Sequence, residues 1–463
     1  MFRNYFKKNK KRIAIIEASN NKRWTYKDLL IEIDRFNTYI EKNSLVILIG
    51  TYSFFSIIGY LGCLSVRNKS TTILIDETFN KDLIDNIISK YKPNYIFYPD
   101  NYKFKMNFYK NDFFENYILS KTFNKKTKIN LENKLLLTTS GTTGSSKLVR
   151  LSTKNLLTNA KSIIKSLSIK KSHTAMTTMP IGYSYGISIL NSHFFSGAKI
   201  ILNKNNIFQK NFWEYFNKYK VNSLNGVPAF YEYIKKLKLE KLNLKNLLYI
   251  SQAGGKMEYK TKKYIFNYCK NLNIKFYIMY GQTEASPRIS CFEVSKYPKK
   301  INSVGKSIES VNIEINKEKN TKTVKKMVGE IFIKGRNVCL GYANNIKDLK
   351  KGDENKGFLK TGDIGYLDND KFLYINGRIN KFTKLFGYRI NLDDIEKFLS
   401  KKKFICKCWG DDKQLYIEHD KSTNLDKIKK LVCTKYKFKQ QFVITKKVKK
   451  LSKKIILKGL FNG

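Results

Sequence analysis

The first residues able to do chemistry lie in the string LLLTTSGTTGSSK at positions 135–147, where an apolar run leads into small hydroxyl residues and glycines and ends on a lysine. Such a loop suits a polyphosphate. Gly141 and Gly144 allow positive φ and close backbone approach, the hydroxyls and amides donate to oxygens, and Lys147 supplies a mobile point charge. It is not a Walker loop, because Gly144 and Lys147 are not adjacent and the G-x-x-x-x-G-K-[ST] spacing fails. The bland alternative is a Ser/Thr-rich hairpin. A second string, Tyr280-Gly281-Gln282-Thr283-Glu284, closes the strand-like FYIMY and combines a π face for a base, a hydroxyl for a phosphate oxygen and a hard carboxylate for a hard cation. A helix N-cap box would use Thr283 and Glu284 equally well. Further on, Asp363 within Thr361-Gly362-Asp363 can accept from two hydroxyls, and Arg378 after Gly377 presents a planar donor fork.

The order Lys147, Glu284, Asp363, Arg378 resembles the adenylate-forming (AMP-binding) superfamily of acyl-CoA synthetases, peptide-synthetase adenylation domains and luciferases. The stretch Thr139, Ser140, Gly141, Thr142, Thr143, Gly144 to Lys147 is similar to the family's phosphate loop, with Ser146 for the usual Pro and Leu148 for the usual Gly. Neither change removes a phosphate donor. The similarity continues through Ser152-Thr153-Lys154-Asn155-Leu156 and Asn159, with Thr153 where a His is common. By resemblance, Tyr280 stacks on adenine, with Gly281 and Gln282 beside it, Thr283 bonds the α-phosphate, Glu284 holds Mg²⁺, and Asp363 with Arg378 binds ribose. Ala253-Gly254-Gly255 resembles the stretch that passes the adenine. Lys384, Phe386 to Ile390 and Asp394-Ile395-Glu396 resemble the loop that opens the family's C-terminal domain, and Asn380 stands at its hinge. The tail from Val448 to Ile455 resembles the segment carrying the adenylation lysine, which this alignment places on Lys454, with Lys453 where the family has Gly. A solvated basic face is the alternative for that tail.

What the resemblance implies is activation of a carboxylic acid by ATP and Mg²⁺ as an acyl-AMP, then transfer to a thiol, either CoA or the phosphopantetheine of an acidic acyl carrier protein. Transfer to an amine, and a non-catalytic nucleotide-binding relative, are the alternatives. Pyrophosphate exchange without CoA-dependent turnover would favour the amine. In the family the acyl pocket is walled by the segment matching residues 179–186, here MPIGYSYG with Tyr183 and Gly186, and no carboxylate occurs between Ala175 and Leu190. An unpaired buried ammonium is costly, so an α-amino acid substrate is disfavoured.

With 89 Lys+Arg against 37 Asp+Glu, the chain is strongly basic, but its lysines run from Lys7 to Lys458 among abundant Asn and Ile. That spread speaks for a chain-wide codon bias and against a specific nucleic-acid stripe. Anionic partners such as nucleotides, CoA or an acidic carrier would still be drawn to the surface. The seven cysteines, Cys63, Cys269, Cys291, Cys339, Cys406, Cys408 and Cys433, lack framework spacing and read as free thiols of a cytoplasmic protein. Cys406 and Cys408 lack the second pair or histidine that a tetrahedral metal site needs, and read as buried strand residues. The apolar stretch from Ser53 to Val66 falls short of the roughly 20 residues that span a bilayer, so it reads as a core helix and no transmembrane segment is expected. The basic start, MFRNYFKKNKKR, has no apolar region after it to make a secretory signal.

The elements that must position these residues follow an α/β pattern, with buried strands each followed by a helix, glycines at strand ends and ligand crevices expected there. From Val304 the texture turns to short strands, including a hairpin about Asp368-Asn369-Asp370. The expected fold is α/β: a large N-terminal domain of α/β subdomains with a small β-rich subdomain over 1–379, and a small mobile α+β C-terminal lid over 380–463. No internal repeat or low-complexity linker interrupts it.

Overall fold

The computed structural model describes residues 2–65, 69–79, 81–104, 106–138, 147–242, 244–316, 328–378, 382–385, 388–402, 404–410, 414–419, 425–436 and 438–447. Apolar runs such as Leu45–Gly50 and Thr71–Asp76 are buried at every position, as strands covered on both faces must be. They sit in an eight-stranded sheet whose spatial order is Gly341–Ala343, Leu148–Leu151, Leu135–Thr138, Thr71–Asp76, Leu45–Gly50, Tyr95–Pro99, Tyr117–Lys121 and Lys110–Phe114. Its middle is parallel and its flanks are antiparallel. A nine-stranded sheet runs from Lys306–Ser307 through Arg288–Glu293, Lys275–Gly281, Tyr249–Gln252, Ser223–Gly226, Thr174–Met176, Lys199–Leu202 and Ile13–Glu17 to Arg23–Thr25.

The largest core cluster takes side chains from both sheets, including Ile15 and Ile200 from the nine-stranded one and Leu48 and Leu135 from the other. Helices add to it, among them Tyr26–Tyr39, Phe54–Cys63 and Ser184–Ser196. Every residue of Phe54–Cys63 is buried, as the apolar stretch predicted, and among the described residues no helix is long and apolar enough to cross a membrane. Helix entry follows local chemistry. Ser152 and Asn155 cap Thr153–Leu167 reciprocally, as Thr25 and Asp28 cap Tyr26–Tyr39.

A third, antiparallel sheet of Val311–Asn316, Gly329–Gly335, Phe358–Leu367 and Leu373–Arg378 is the expected β-rich portion, and its hairpin turns at Asp368 to Asp370. Residues from Ile390 onward build a separate apolar cluster in which Cys406 and Cys408 are buried strand residues. All seven cysteines are free.

One expectation needs correction. Some buried strands are followed by another strand instead of an α-helix, among them Ile13–Glu17, Tyr95–Pro99, Leu135–Thr138 and Lys275–Gly281. After Leu135–Thr138 the cause is the short apolar run Leu148-Val149-Arg150-Leu151, which pairs back before the Ser152 cap can start a helix.

Candidate active site

The hairpin made by Leu135–Thr138 and Leu148–Leu151 pairs Thr138 with Leu148, so residues 139–147 are its connection. Within that connection only Lys147 is described; Thr139, Ser140, Gly141, Thr142, Thr143 and Gly144 lie outside the described residues. The Lys147 ammonium stands 3.4 Å from the ring centroid of Tyr342, a cation–π contact. Tyr342 arrives on the strand Gly341–Ala343, paired with Val149, and its hydroxyl donates to Glu284 Oε1 at 2.9 Å.

Arg150 makes this junction rigid. Its side chain is fully buried, yet it donates to the carbonyls of Tyr342, Leu340, Lys351 and Gly352 and to Glu354 Oε2 at 2.6 Å. A buried guanidinium with its donors matched holds geometry instead of destabilising it. The strand that brings Tyr342 is therefore fastened to the strand that follows Lys147.

Glu284 sits in a single 3-10 turn, Thr283–Ala285, beyond the strand Lys275–Gly281. No α-helix begins there, so Thr283 and Glu284 are not an N-cap box; Thr283 Oγ1 instead meets Ser184 Oγ at 3.1 Å. Gly281 is required at the bend, since a Cβ there would come 1.8 Å from the Pro287 carbonyl, to which Gln282 N donates at 2.8 Å. The amides of Asn159 and Asn337 both donate to the carbonyls of Ala285 and Arg288, fixing the turn from two sides. The buried Nε2 of Gln282 has no partner among the described residues.

Beside the turn, Tyr280 donates from its hydroxyl to Asp363 Oδ2 at 2.5 Å. Asp363 and Arg378 are opposite one another across the antiparallel pair Phe358–Leu367 and Leu373–Arg378. Arg378 binds both carboxylate oxygens, through Nε to Oδ1 and through its terminal nitrogen to Oδ2 at 3.2 Å. Thr361 Oγ1 accepts from Asp363 N and donates to the Ile331 carbonyl, anchoring the loop. Burial, and the carboxylate next to it, push the Tyr280 hydroxyl well above the ordinary tyrosine range and keep it a donor.

The structure thus joins Lys147 to Glu284 through Tyr342, and Tyr280 to Arg378 through Asp363. Gly254 and Gly255 follow the strand Tyr249–Gln252, with Gln252 Nε2 donating to the Gly255 carbonyl at 2.8 Å. Tyr183 is the half-buried N-cap residue of Ser184–Ser196. Gly186 packs on its own chain: a Cβ there would lie 2.1 Å from the Pro180 carbonyl. Lys384 lies on the strand Phe382–Leu385, opposite Arg389 in a two-stranded hairpin. Asn380 and Lys454 lie outside the described residues. Sequence reasoning missed Tyr342, Ser184 and Arg150. Long-range pairing alone brings them in, and the nearest local signal is a lone arginine inside the apolar run 148–151.

The profile of the family described as AMP-binding enzyme matches residues 2–343. An oxalate–CoA ligase from Saccharomyces cerevisiae is 28% identical over 260 residues, covering 56% of this chain and 47% of that protein. A probable 4-coumarate–CoA ligase 1 from Dictyostelium discoideum is 31% identical over 265 residues, covering 56% and 47%. The chain spans about half the length of these curated relatives. Among solved structures, a double mutant of o-succinylbenzoate CoA synthetase from Bacillus subtilis with a product analogue superposes with a TM-score of 0.75 at 17% identity, over 98% of this chain and 95% of that one. The same enzyme in complex with ATP and magnesium gives 0.67 at 18% identity, over 97% and 96%. The shared fold has a large N-terminal and a small C-terminal portion. With the family profile spanning residues 2–343 and the strand-end residues gathered as described, this chain belongs to the AMP-binding enzyme family.

Proposed function

We propose that the chain activates a carboxylic acid with ATP, forming an acyl-AMP and pyrophosphate, and passes the acyl group to a thiol, either CoA or carrier-protein phosphopantetheine. The observation that carries this reading is the group made by Tyr280, Asp363 and Arg378, drawn from three strands into one hydrogen-bonded cluster directly before Thr283 and Glu284. A nucleoside needs these groups: an aromatic face, a fixed carboxylate for ribose hydroxyls and a cation. Asp363 spends three of its roughly four acceptor positions on Tyr280 and Arg378, so ribose would use the remaining one and compete with Arg378 for another. The Gln282 amide nitrogen, without a partner among the described residues, is a further donor for the nucleotide.

The residues also fit magnesium. Glu284 Oε2 has no hydrogen-bond partner among the described residues, and no cluster of three or more potential ligands is found among them. One carboxylate, completed by substrate phosphates and water, is a usual Mg²⁺ arrangement. When bound there, the cation would neutralise charge developing on the phosphates. Lys147 would balance the departing pyrophosphate, Thr283 would donate to the α-phosphate, and Tyr342 would hold Glu284 in place.

The remaining assignments rest on the family resemblance. Residues 1–379 would form the adenylating domain and 380–463 a lid turning about Asn380. Lys454 would meet the α-phosphate in one orientation, and the segment from Lys384 to Arg389 would face the thiol in the other. The CoA-ligase names of the relatives support a thiol acceptor. The test is an ATP–pyrophosphate exchange screen over a panel of carboxylic acids, with and without CoA. Acid-dependent exchange together with CoA-dependent turnover supports the reading. Exchange without a CoA effect shifts the acceptor to an amine or a carrier protein, and no exchange with any acid removes it.

A further inference from the structure

Ser184 and Thr283 stand 99 positions apart in the chain, yet their hydroxyls meet at 3.1 Å. Both are held from behind. Thr283, 7% exposed, belongs to the turn that Asn159 and Asn337 fasten from two sides. Ser184 opens the helix Ser184–Ser196 on a stretch packed through its own backbone. Tyr183 N donates to the Pro180 carbonyl at 3.1 Å, and a Cβ on Gly182 would come 2.6 Å from Asp76 N. Two rigid segments therefore set the distance between the hydroxyls.

Helix capping does not account for the serine. The N-cap of its helix is Tyr183, which makes no side-chain cap bond, and Ser184 Oγ has no hydrogen-bond partner but Thr283 among the described residues. Thr283 Oγ1 likewise has only Ser184 among them. A hydroxyl has one proton to give and two lone pairs to accept with. A Thr283 proton given to Ser184 leaves only lone pairs facing a phosphate oxygen, which they repel. A Ser184 proton given to Thr283 frees the Thr283 proton, and two hydroxyls in series ending on an anion are polarised in one direction, each bond strengthening the next. The direction of a single hydrogen bond thus decides whether Thr283 can serve the nucleotide.

We propose that Ser184 is a positioning residue for carboxyl activation: its hydroxyl donates to Thr283 and aims the Thr283 proton at the α-phosphate. The assignment rests on the adenylating reading above. It gives the 3-10 turn Thr283–Ala285 two supports of one kind. Tyr342 orients Glu284 through a hydroxyl from one distant element, and Ser184 orients Thr283 through a hydroxyl from another. The bond of 3.1 Å is long for two hydroxyls and should tighten when a phosphate polarises it.

The test measures acid-dependent ATP–pyrophosphate exchange in the full-length enzyme, in Ser184→Ala, in Thr283→Val and in the double variant. Ser184→Ala should lower kcat/KM for ATP by roughly 3- to 10-fold, the worth of one neutral hydrogen bond, and Ser184→Thr, which keeps the hydroxyl, should recover most of it. A contact that acts through Thr283 has nothing left to orient in Thr283→Val, so adding Ser184→Ala there should cost less than about 2-fold. A serine with a purely structural role would lower activity by the same factor in both backgrounds. No loss in Ser184→Ala, equal losses in both backgrounds, or a folded Ser184→Thr no more active than Ser184→Ala overturns the proposal. If no acid drives exchange, the adenylating reading fails by itself, and calorimetric titration with AMP decides the positioning. Affinity weakened by Ser184→Ala only where Thr283 is present upholds it, and affinity that is absent, unaffected or weakened equally in both backgrounds overturns it.

Discussion

The hydroxyl of Tyr342 donates to Glu284 at 2.9 Å. That bond links the strand Gly341–Ala343, paired with Leu148–Leu151, to the turn bearing the proposed magnesium ligand, and Glu284 Oε2 has no partner among the described residues. Tyr342→Phe keeps the ring under Lys147 and removes only the orienting donor. It should lower exchange activity at limiting magnesium by about 1.5–3 kcal/mol of binding, the range for a hydrogen bond to a charged group, and recover at saturating magnesium. Glu284→Gln should lose activity at both concentrations. A magnesium titration curve for Tyr342→Phe that overlays the wild type would remove the link.

Arg150→Met tests the scaffold. The substitution leaves four carbonyls and Glu354 without their common donor, so stability in urea should fall by about 3 kcal/mol. Tyr342 should lose its fixed position as well, so the Tyr342→Phe effect should shrink when measured in the Arg150→Met background. Additive effects would place the two residues in independent networks.

Acid should destabilise the fold partly through His193. Burial pushes its pKa down to about 4, while an unfolded histidine titrates near 6.5. Above about pH 6.5 the ring is neutral in both states and contributes no pH dependence. As pH falls from about 6.5 to about 4, only the unfolded chain binds the proton, so stability is lost, up to about 3 kcal/mol. Urea midpoints between pH 7 and 4.5 should therefore fall less steeply in His193→Asn. Parallel pH profiles would contradict a neutral buried ring.

Lys454 distinguishes the two half-reactions. If it meets the α-phosphate only during adenylation, Lys454→Ala should lose roughly 2–4 kcal/mol in that step, and synthetic acyl-AMP should restore thioester formation. Lys453→Ala is the control. Loss in Lys453→Ala alone would move the role by one residue, and full adenylation in both would leave the tail a basic face.

How much of this was legible depended on the range of the interactions. Strands followed from local runs: LVILIG and TTILI were buried on both faces. Tyr280, Asp363 and Arg378 were found as strings and proved to meet at the Asp363 carboxylate. Tyr342 and Ser184 carried no local mark, because each acquires its meaning from a partner far along the chain. The helix expected after Leu135–Thr138 is present as Thr153–Leu167, but the strand Leu148–Leu151 that precedes it went unread for a related reason: its pairing is a tertiary choice that apolar content alone does not disclose.

The central claim is attack by a substrate carboxylate on the α-phosphorus of ATP, and an oxygen label follows it directly. An acid labelled with ¹⁸O in its carboxyl group is turned over with ATP and an acceptor, and the products are read by mass spectrometry. Attack at the α-phosphorus places a carboxyl oxygen between acyl group and phosphorus, and acyl transfer leaves that oxygen on AMP. The account predicts one ¹⁸O in AMP and none in pyrophosphate. Formation of ADP with ¹⁸O in inorganic phosphate, or AMP free of label, would contradict it.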